Sequence, residues 1–159
     1  MPIVTSHEIY GAVHEIFQSM LGVEPELKAL GREVDSLPNQ GIAAIVGFAG
    51  ESEGSVIFTC TTDLAASLAG LMLMEEEVDR DSEEVDDAMG EIGNMIAGQL
   101  KNLLCESGNE VKLSIPIVVR NGDYRISVPD TYERWRLTCL QVEGAPPFFV
   151  ELVSSEPLD

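Results

Sequence analysis

The first hydrophobic pattern in the chain is that of a helix near its beginning. From Ser6 to Leu21, apolar residues recur every three or four positions, which places them along one side of a helix. Thr5 or Ser6 can cap the start of this helix, and Gly22 and Pro25 end the pattern. The sequence therefore predicts an amphipathic helix over 6–21.

A hairpin is predicted after an irregular connection. Residues 24–39 carry several charges together with Gly31 and Pro38, a composition typical of a connection that could include one short strand. Segments 41–49 and 55–60 are apolar and rich in β-branched residues, and a polar turn containing glycine separates them. This pattern predicts two strands that pair with each other.

Two more helices are predicted after the hairpin. Leucines and alanines at helical spacing predict the second over 62–74, with Thr61 or Thr62 as its cap. The acidic run 75–87 is predicted to be a solvated turn that leads into the third helix, where acidic residues suit the helix dipole. The residues expected on the core side of the third helix are Val85, Met89, Ile92, Ile96, Leu100 and Leu103.

The remaining segments predict strands. Residues 111–120 predict a strand interrupted at Pro116, and the Asn-Gly pair at 121–122 predicts a turn after it. Segments 134–142 and 148–153 predict the last two strands. Three helices and four to six strands result, and they do not alternate strictly. We therefore predict an α+β fold, with long helices packed on one face of a mainly antiparallel sheet.

The third helix carries glycines on the side opposite its apolar face. One sector of it contains Asp87, Gly90, Asn94, Gly98 and Lys101, with Glu91 at its edge and Gly93 and Ala97 beside it. Each glycine inside a helix costs about 1 kcal/mol relative to alanine, so glycines repeated over so short a stretch need a packing or functional reason. A flat strip lets another backbone or a bulky group approach the helix closely.

Glu91 and Asn94 stand three residues apart and are neighbours on the helix surface, so they can act together on one object. Two structural explanations compete with a functional one. Glycines at this spacing also mark close helix–helix crossings, and an exposed glutamate–asparagine pair is common on solvated surfaces. Spacing alone leaves these alternatives open.

The pattern formed by Asp87, Glu91, Asn94 and Gly98 resembles the signature of the CheC/CheX/FliY family of chemotaxis phosphatases. The likeness includes the hairpin around the turn at 50–54 and the order of the elements that flank the motif, which is similar to CheX members. It implies a single CheX-like domain over residues 1–159.

The resemblance also implies a reaction. The substrate would be the aspartyl-phosphate of a CheY-like response regulator, which holds its own Mg²⁺ and lysine, so this chain would need no cofactor of its own and no metal site. Asn94 would orient the attacking water, as a glutamine does in GTPases, and Glu91 would bind the regulator's lysine. Asp87, Gly90, Gly98 and Lys101 would contact the partner.

The resemblance further implies a homodimer formed through the sheets, for which the apolar segment 148–153 could supply an edge. Two other functions stay open. One is a non-catalytic module of the same fold that binds response regulators. The other is a structural part of a flagellar switch, which the length argues against because FliY-like chains carry an additional domain.

Composition excludes several partners. The chain has 9 Lys+Arg against 28 Asp+Glu, a net charge of −19, which repels nucleic acid and anionic lipid headgroups. No long apolar run and no secretory signal can be recognised, and Cys60, Cys105 and Cys139 lie among apolar neighbours in the manner of reduced core thiols. These features predict a cytoplasmic protein.

Two weaker patterns lie near the beginning of the chain. Glu15, Gln18 and Gly22 repeat the spacing of Glu91, Asn94 and Gly98, either by chance or as a degenerate second copy of the motif. His7 and His14 lack the spacing of a zinc-binding helix, so we expect surface histidines there.

Overall fold

A computed structural model describes residues 5–31, 41–106, 108, 110–120, 129–140 and 146–156. The helices in these ranges are α1 (Ser6–Ile16), α2 (Thr62–Leu73) and α3 (Glu83–Glu106), and a π-helical turn, Phe17–Leu21, continues α1. The strands are β1 (Glu26–Gly31), β2 (Gly41–Gly50), β3 (Gly54–Thr61), β4 (Val111–Leu113), β5 (Ile117–Arg120), β6 (Glu133–Leu140) and β7 (Phe148–Ser154). The turn predicted at 121–122 lies outside the described residues.

All seven described strands form one antiparallel sheet. Its order is β1-β6-β7-β3-β2-β4, and β5 also pairs with β2, further along the same side of that strand. The main core lies between one face of this sheet and the helices, and α3 packs on β2 and β3. The predicted α+β fold with a mainly antiparallel sheet is confirmed.

The predicted range of four to six strands is too low, because the segment 111–120 forms two strands. Ser114 and Ile115 leave the strand conformation before Pro116, which has no N–H to donate to the ladder. The short strand allowed for in 24–39 is present as β1, which pairs with β6. The acidic run is also shorter as a turn than predicted, because α3 begins within it, at Glu83.

Helix starts follow the capping residues in the sequence. Thr5 and Glu8 form a reciprocal capping box at α1, and the Thr61 hydroxyl accepts a bond from the Leu64 N–H at α2. The predicted first helix is not uniform, because its last five residues form the π-helical turn. This turn ends at Gly22, which has φ +70°, a backbone conformation that favours glycine.

The centre of the core contains three aromatic rings from different elements. Phe17 of the π-helical turn stacks on Phe148 with ring centroids 4.7 Å apart, and Phe58 meets the edge of Phe148 at 5.6 Å. These contacts join the end of α1 to β3 and β7. The apolar side of α3 packs near them, and its predicted residues are buried except Leu103, which is half-buried while Leu104 is buried.

The segment 148–153 is not an edge, contrary to the expectation from the sequence. It forms β7, which lies between β6 and β3 in the interior of the sheet. Six of the seven residues of β7 are buried, including the charged Glu151, as expected of a strand that has a neighbour on each side. Among the described strands, the edges are β1 on one side and β4 with β5 on the other.

The face of the sheet away from the helices holds a buried charge cluster. Glu151 of β7 is 0% exposed, and its carboxylate accepts bonds from the guanidinium groups of Arg134 and Arg136 of β6 at 2.6–3.0 Å. Such forked, charge-assisted bonds satisfy a carboxylate that burial would otherwise penalise. The cluster therefore fixes the pairing of β6 and β7.

Candidate functional site

The candidate site is the solvent side of α3. Val85, Met89, Ile92 and Ile96 are buried on the opposite side, and this hydrophobic contact with the sheet sets the rotation of the helix. Glu91 and Asn94 are consequently exposed. Within the described part of the chain, neither side chain forms a hydrogen bond or ion pair, so both are available to an external partner.

Asp87, Glu91, Asn94 and Gly98 follow one line along α3. Successive intervals of four, three and four residues keep them within a narrow sector, and the line is about 16 Å long at 1.5 Å per residue. Asp87 is exposed, whereas Gly98 is half-exposed. We call these four residues the α3 stripe. Lys101 lies next to its far end and is half-exposed.

The three glycines of α3 differ in what surrounds them. A Cβ atom at Gly93 would lie 2.9 Å from the Cβ of Ala44, closer than packed carbon atoms allow, so Gly93 is needed for the contact between α3 and β2. At Gly90 a Cβ would lie 3.6 Å from Pro116 and 3.7 Å from Val118, which is ordinary contact. At Gly98 it would meet nothing within 4 Å.

These surroundings divide the predicted glycine strip. Gly90 is buried beneath Pro116 and Val118, and Gly93 and Ala97 are buried against the core. The prediction of a flat surface over all three glycines is thus wrong for Gly90 and Gly93, because other parts of the chain cover them. Gly98 alone among the three opens to solvent.

Arg120 at the end of β5 holds the beginning of α3 in place, a contact that the sequence analysis missed. Its Nε donates to Asp86 Oδ1 at 2.6 Å, and its two terminal nitrogens donate to the Arg80 carbonyl at 2.6 Å and the Ser82 carbonyl at 3.2 Å. An arginine at the end of an apolar strand, in a chain with an acidic run before its motif, is the signal that could have indicated this contact.

The loop between β4 and β5 forms an apolar border beside Gly90. Its Pro116 packs over that glycine, and its neighbours Ile115 and Ile117 are 82% and 58% exposed. Large aliphatic side chains this exposed and this close together are unusual on a monomer surface and are typical of contact regions.

Charges are distributed unevenly along α3. Its first nine residues include Glu83, Glu84, Asp86, Asp87 and Glu91, and Lys101 is its single basic residue. The surface at the start of the helix therefore attracts cationic groups. Within the described ranges, no three His, Cys, Asp or Glu side chains are grouped to hold a metal ion, and no helix is long and apolar enough to cross a membrane.

The N-terminal repeat of the motif spacing has a different structure. Glu15 and Gln18 are exposed, but Gln18 lies in the π-helical turn and its amide donates to Glu24 at 3.2 Å. Gly22 is the left-handed residue that ends the helix, so its glycine has a conformational cause. The three residues do not form a stripe like that of α3.

The chain is similar in sequence and in fold to known proteins. Residues 42–140 match the family model described as chemotaxis phosphatase CheX. The CheY-P phosphatase CheX of Thermotoga maritima is 29% identical over 118 residues, which are 74% of this chain and 76% of the relative.

Solved structures with the same fold include the chemotaxis protein CheX from Vibrio vulnificus, with a TM-score of 0.81 and 23% identity over 94% of this chain and 97% of the other. The CheX-CheY-BeF₃-Mg²⁺ complex from Borrelia burgdorferi has a TM-score of 0.79 and 25% identity over 94% and 97% of the two chains.

Proposed function

This chain belongs to the chemotaxis phosphatase CheX family, and on that premise we propose that it hydrolyses the aspartyl-phosphate of a CheY-like response regulator. The observation that carries the proposal is the pair Glu91 and Asn94, exposed side by side on α3 with no partner among the described residues. A surface so arranged is suited to entering the active site of another protein.

Asn94 is the residue to which we assign the orientation of water. Phosphoryl transfer passes through a loose transition state, so an enzyme accelerates it mainly by holding the nucleophile in line with the phosphorus. A carboxamide can accept a hydrogen bond from water through its oxygen and donate one to a phosphoryl oxygen through its NH₂ group at the same time. A carboxylate of the same size would be repelled by those oxygens.

Glu91 is the residue to which we assign the docking contact. Its carboxylate lies one helical turn before Asn94 and would bind the lysine beside the phosphorylated aspartate of the regulator. Asp87, one further turn before it, adds negative charge for the same cationic region. This arrangement fixes the position of Asn94 relative to the phosphoryl group.

The metal of the reaction would belong to the regulator. The complex from Borrelia burgdorferi contains Mg²⁺ and BeF₃ together with CheX and CheY, which supports a substrate that brings its own cation. Of the predicted partner contacts, Gly98 and Lys101 are accessible, whereas Gly90 would act through the Pro116 loop above it.

The test measures the decay of the aspartyl-phosphate on a CheY-like regulator with Mg²⁺, alone and with the wild-type chain or its variants. We expect Asn94→Ala and Asn94→Asp to lower the catalysed rate at least about 100-fold, because the water loses its positioning group. Glu91→Ala should also lower the catalysed rate, and it should in addition weaken binding of the chain to the regulator, because the docking contact is lost. Glu106→Ala, an exposed glutamate at the other end of α3, is the matched control and should retain wild-type activity.

The same assay distinguishes the alternative of a non-catalytic binding module. In that case the wild-type chain would bind the BeF₃-treated regulator while leaving the decay rate of its phosphate unchanged. Full activity of Asn94→Asp would contradict the assigned role of Asn94, because a charged group cannot replace the amide in the proposed contact.

We further propose that the chain is a cytoplasmic homodimer built as one CheX-like domain. The free thiols of Cys60, Cys105 and Cys139 suit a reducing compartment. Cys60 and Cys139 are buried as predicted for core thiols, whereas that prediction is wrong for Cys105, which is exposed. For the dimer, the β4/β5 edge has exposed Ile115 and Ile117 beside one exposed charge, Lys112, whereas β1 carries the exposed ion pair of Glu26 and Lys28. Exposed apolar side chains favour association and charges discourage pairing at an edge, so β4 and β5 are favoured.

A further inference from the structure

Beyond Gly98 the α3 stripe opens into a groove between α3 and the end of α1. The groove has a volume of about 500 Å³. Its apolar lining comes from Ile16, Met20, Met95 and Leu113. Gly98 and Lys101 form part of its α3 side, and the acidic Glu15 lines it on the α1 side. We call it the Met20 groove.

Two features of this groove have no cause among the described residues. Gly98 weakens the helix, and no atom within 4 Å of a Cβ there requires a glycine. Met20, in the π-helical turn, is 55% exposed at the rim of the groove. π-Helical turns occur often at functional sites, and methionine adapts its shape to an apolar neighbour.

The groove lies within the area that a docked regulator would cover. Along α3, Gly98 lies four residues from Asn94, about 6 Å, and Asn102 at the far end of the groove's α3 side lies about 12 Å from Asn94. A protein interface of ordinary size buries about 800 Å² on each partner. A patch of that area extends further from its centre than the α3 side of the groove extends from Asn94. A regulator bound at Glu91 and Asn94 would therefore also face the groove.

We propose that the Met20 groove receives an apolar side chain from the rim of the regulator's phosphorylation pocket, next to a carboxylate that pairs with Lys101. This inference rests on the proposed function and concerns which regulators the chain accepts. Lys101 is the single basic residue of α3 and has no ion pair with another described residue. Its charge complements an acidic partner at this end of the helix, opposite to the acidic start.

The test compares substitutions at the groove in steady-state dephosphorylation of the regulator. Met20→Asp places a charge in the apolar contact, so we expect KM to rise about tenfold or more with kcat unchanged, since a buried side chain of this size is worth at least that factor. The conservative variant Met20→Leu should keep the wild-type KM, because it leaves an apolar side chain in the groove. Met74→Asp, which changes a methionine that is 94% exposed at the end of α2, is the matched control and should not alter KM.

Lys101→Glu provides a second, independent variant. It should raise KM and reduce the dependence of KM on salt, because the proposed ion pair is lost. Binding to the BeF₃-treated regulator, measured by calorimetry, should weaken by the same factors.

The two levels of the proposal fail in different ways. If the wild-type chain is active and both Met20→Asp and Lys101→Glu retain its KM and its affinity, the groove has no part in docking and only this inference is overturned. If the wild-type chain neither binds the regulator nor accelerates decay of its phosphate, the proposed function is overturned together with it.

Discussion

At the residue scale, Gly90, Gly93 and Gly98 show how identical residues of one helix differ in what they do. Only Gly93 meets another part of the chain so closely that a methyl group has no room, because the Cβ of Ala44 lies opposite it. Gly98 faces open space. The same substitution should therefore have opposite effects on stability at the two positions.

We predict that Gly93→Ala lowers the free energy of unfolding by about 1–2 kcal/mol, because strain at Ala44 exceeds the gain in helix propensity. Gly98→Ala should raise it by about 0.5–1 kcal/mol. Urea unfolding of the two variants beside the wild type measures both changes. A stabilising effect of Gly93→Ala would show that α3 does not lie on β2 at the distance described.

The buried thiols make stability depend on pH in alkaline solution. Burial raises the pKa of the Cys60 thiol, and it raises the pKa of the Cys139 thiol to about 12. In the unfolded chain both thiols have their ordinary pKa near 9, so they ionise as the pH rises above that value. At a pH between the unfolded and the folded pKa, the unfolded state holds fewer protons than the folded state. The stability contributed by the protonated thiols is therefore fully present below about pH 9 and falls as the pH rises.

We predict that the free energy of unfolding falls above about pH 9 with a slope that approaches about 1.4 kcal/mol per pH unit for each buried thiol. Urea unfolding at a series of pH values above 9 measures it. Cys139→Ala should make the slope shallower by one such increment, whereas Cys105→Ala, which removes an exposed cysteine, should not. Equal slopes in the wild type and in Cys139→Ala would contradict the burial of that thiol.

At the scale of elements, the placement of α3 depends on contacts at both of its sides. Hydrophobic burial fixes its rotation, and Arg120 fixes its beginning through Asp86 and two backbone carbonyls. Hydrogen bonds from a charged donor are worth about 1.5–3 kcal/mol when they are shielded from water. Arg120 therefore acts as a positioning residue for the α3 stripe.

We predict that Arg120→Ala lowers the free energy of unfolding by about 2 kcal/mol and accelerates amide hydrogen exchange in the first turns of α3. Arg120→Lys should recover little, since an ammonium cannot reproduce the planar fork of three donors. The control is Arg80→Ala, which removes an exposed guanidinium and keeps the carbonyl that Arg120 binds. Unchanged exchange in Arg120→Ala would rule out the positioning role.

At the scale of the whole molecule, the two edges of the sheet differ in their exposed side chains. The β4/β5 edge has exposed isoleucines, and β1 has Glu26 and Lys28, which form an ion pair at 3.2 Å. Burial of apolar surface at the first edge would stabilise a dimer with the second copy related by twofold symmetry.

We predict that the wild-type chain sediments as a dimer and that Ile117→Lys sediments as a monomer, because the new charge would be buried without a partner. Ala29→Lys introduces the same side chain at an exposed position of β1 and should remain dimeric. Sedimentation velocity distinguishes the two. A monomer produced by Ala29→Lys and not by Ile117→Lys would assign the dimer to the opposite edge.

The sequence by itself determined the elements that depend on local physics. Caps such as Thr5 and Thr61, the break at Pro116 and the apolar side of α3 act within a few residues, so period and capping chemistry predicted the helices and the hairpin. The exposure of Glu91 and Asn94 was predicted in the same way, because the side of a helix that is not apolar faces solvent, whereas their assignment as a site came from the family resemblance.

Only the tertiary structure decided which strands lie at the edges, which glycines the chain covers and what holds α3. β7 lies inside the sheet because it pairs with the distant strand β3 as well as with its sequence neighbour β6, and Gly90 is covered by a loop that begins more than twenty residues later. The physical reason is that strand order and packing come from long-range contacts, whereas hydrophobic periodicity reports only the neighbourhood of each residue.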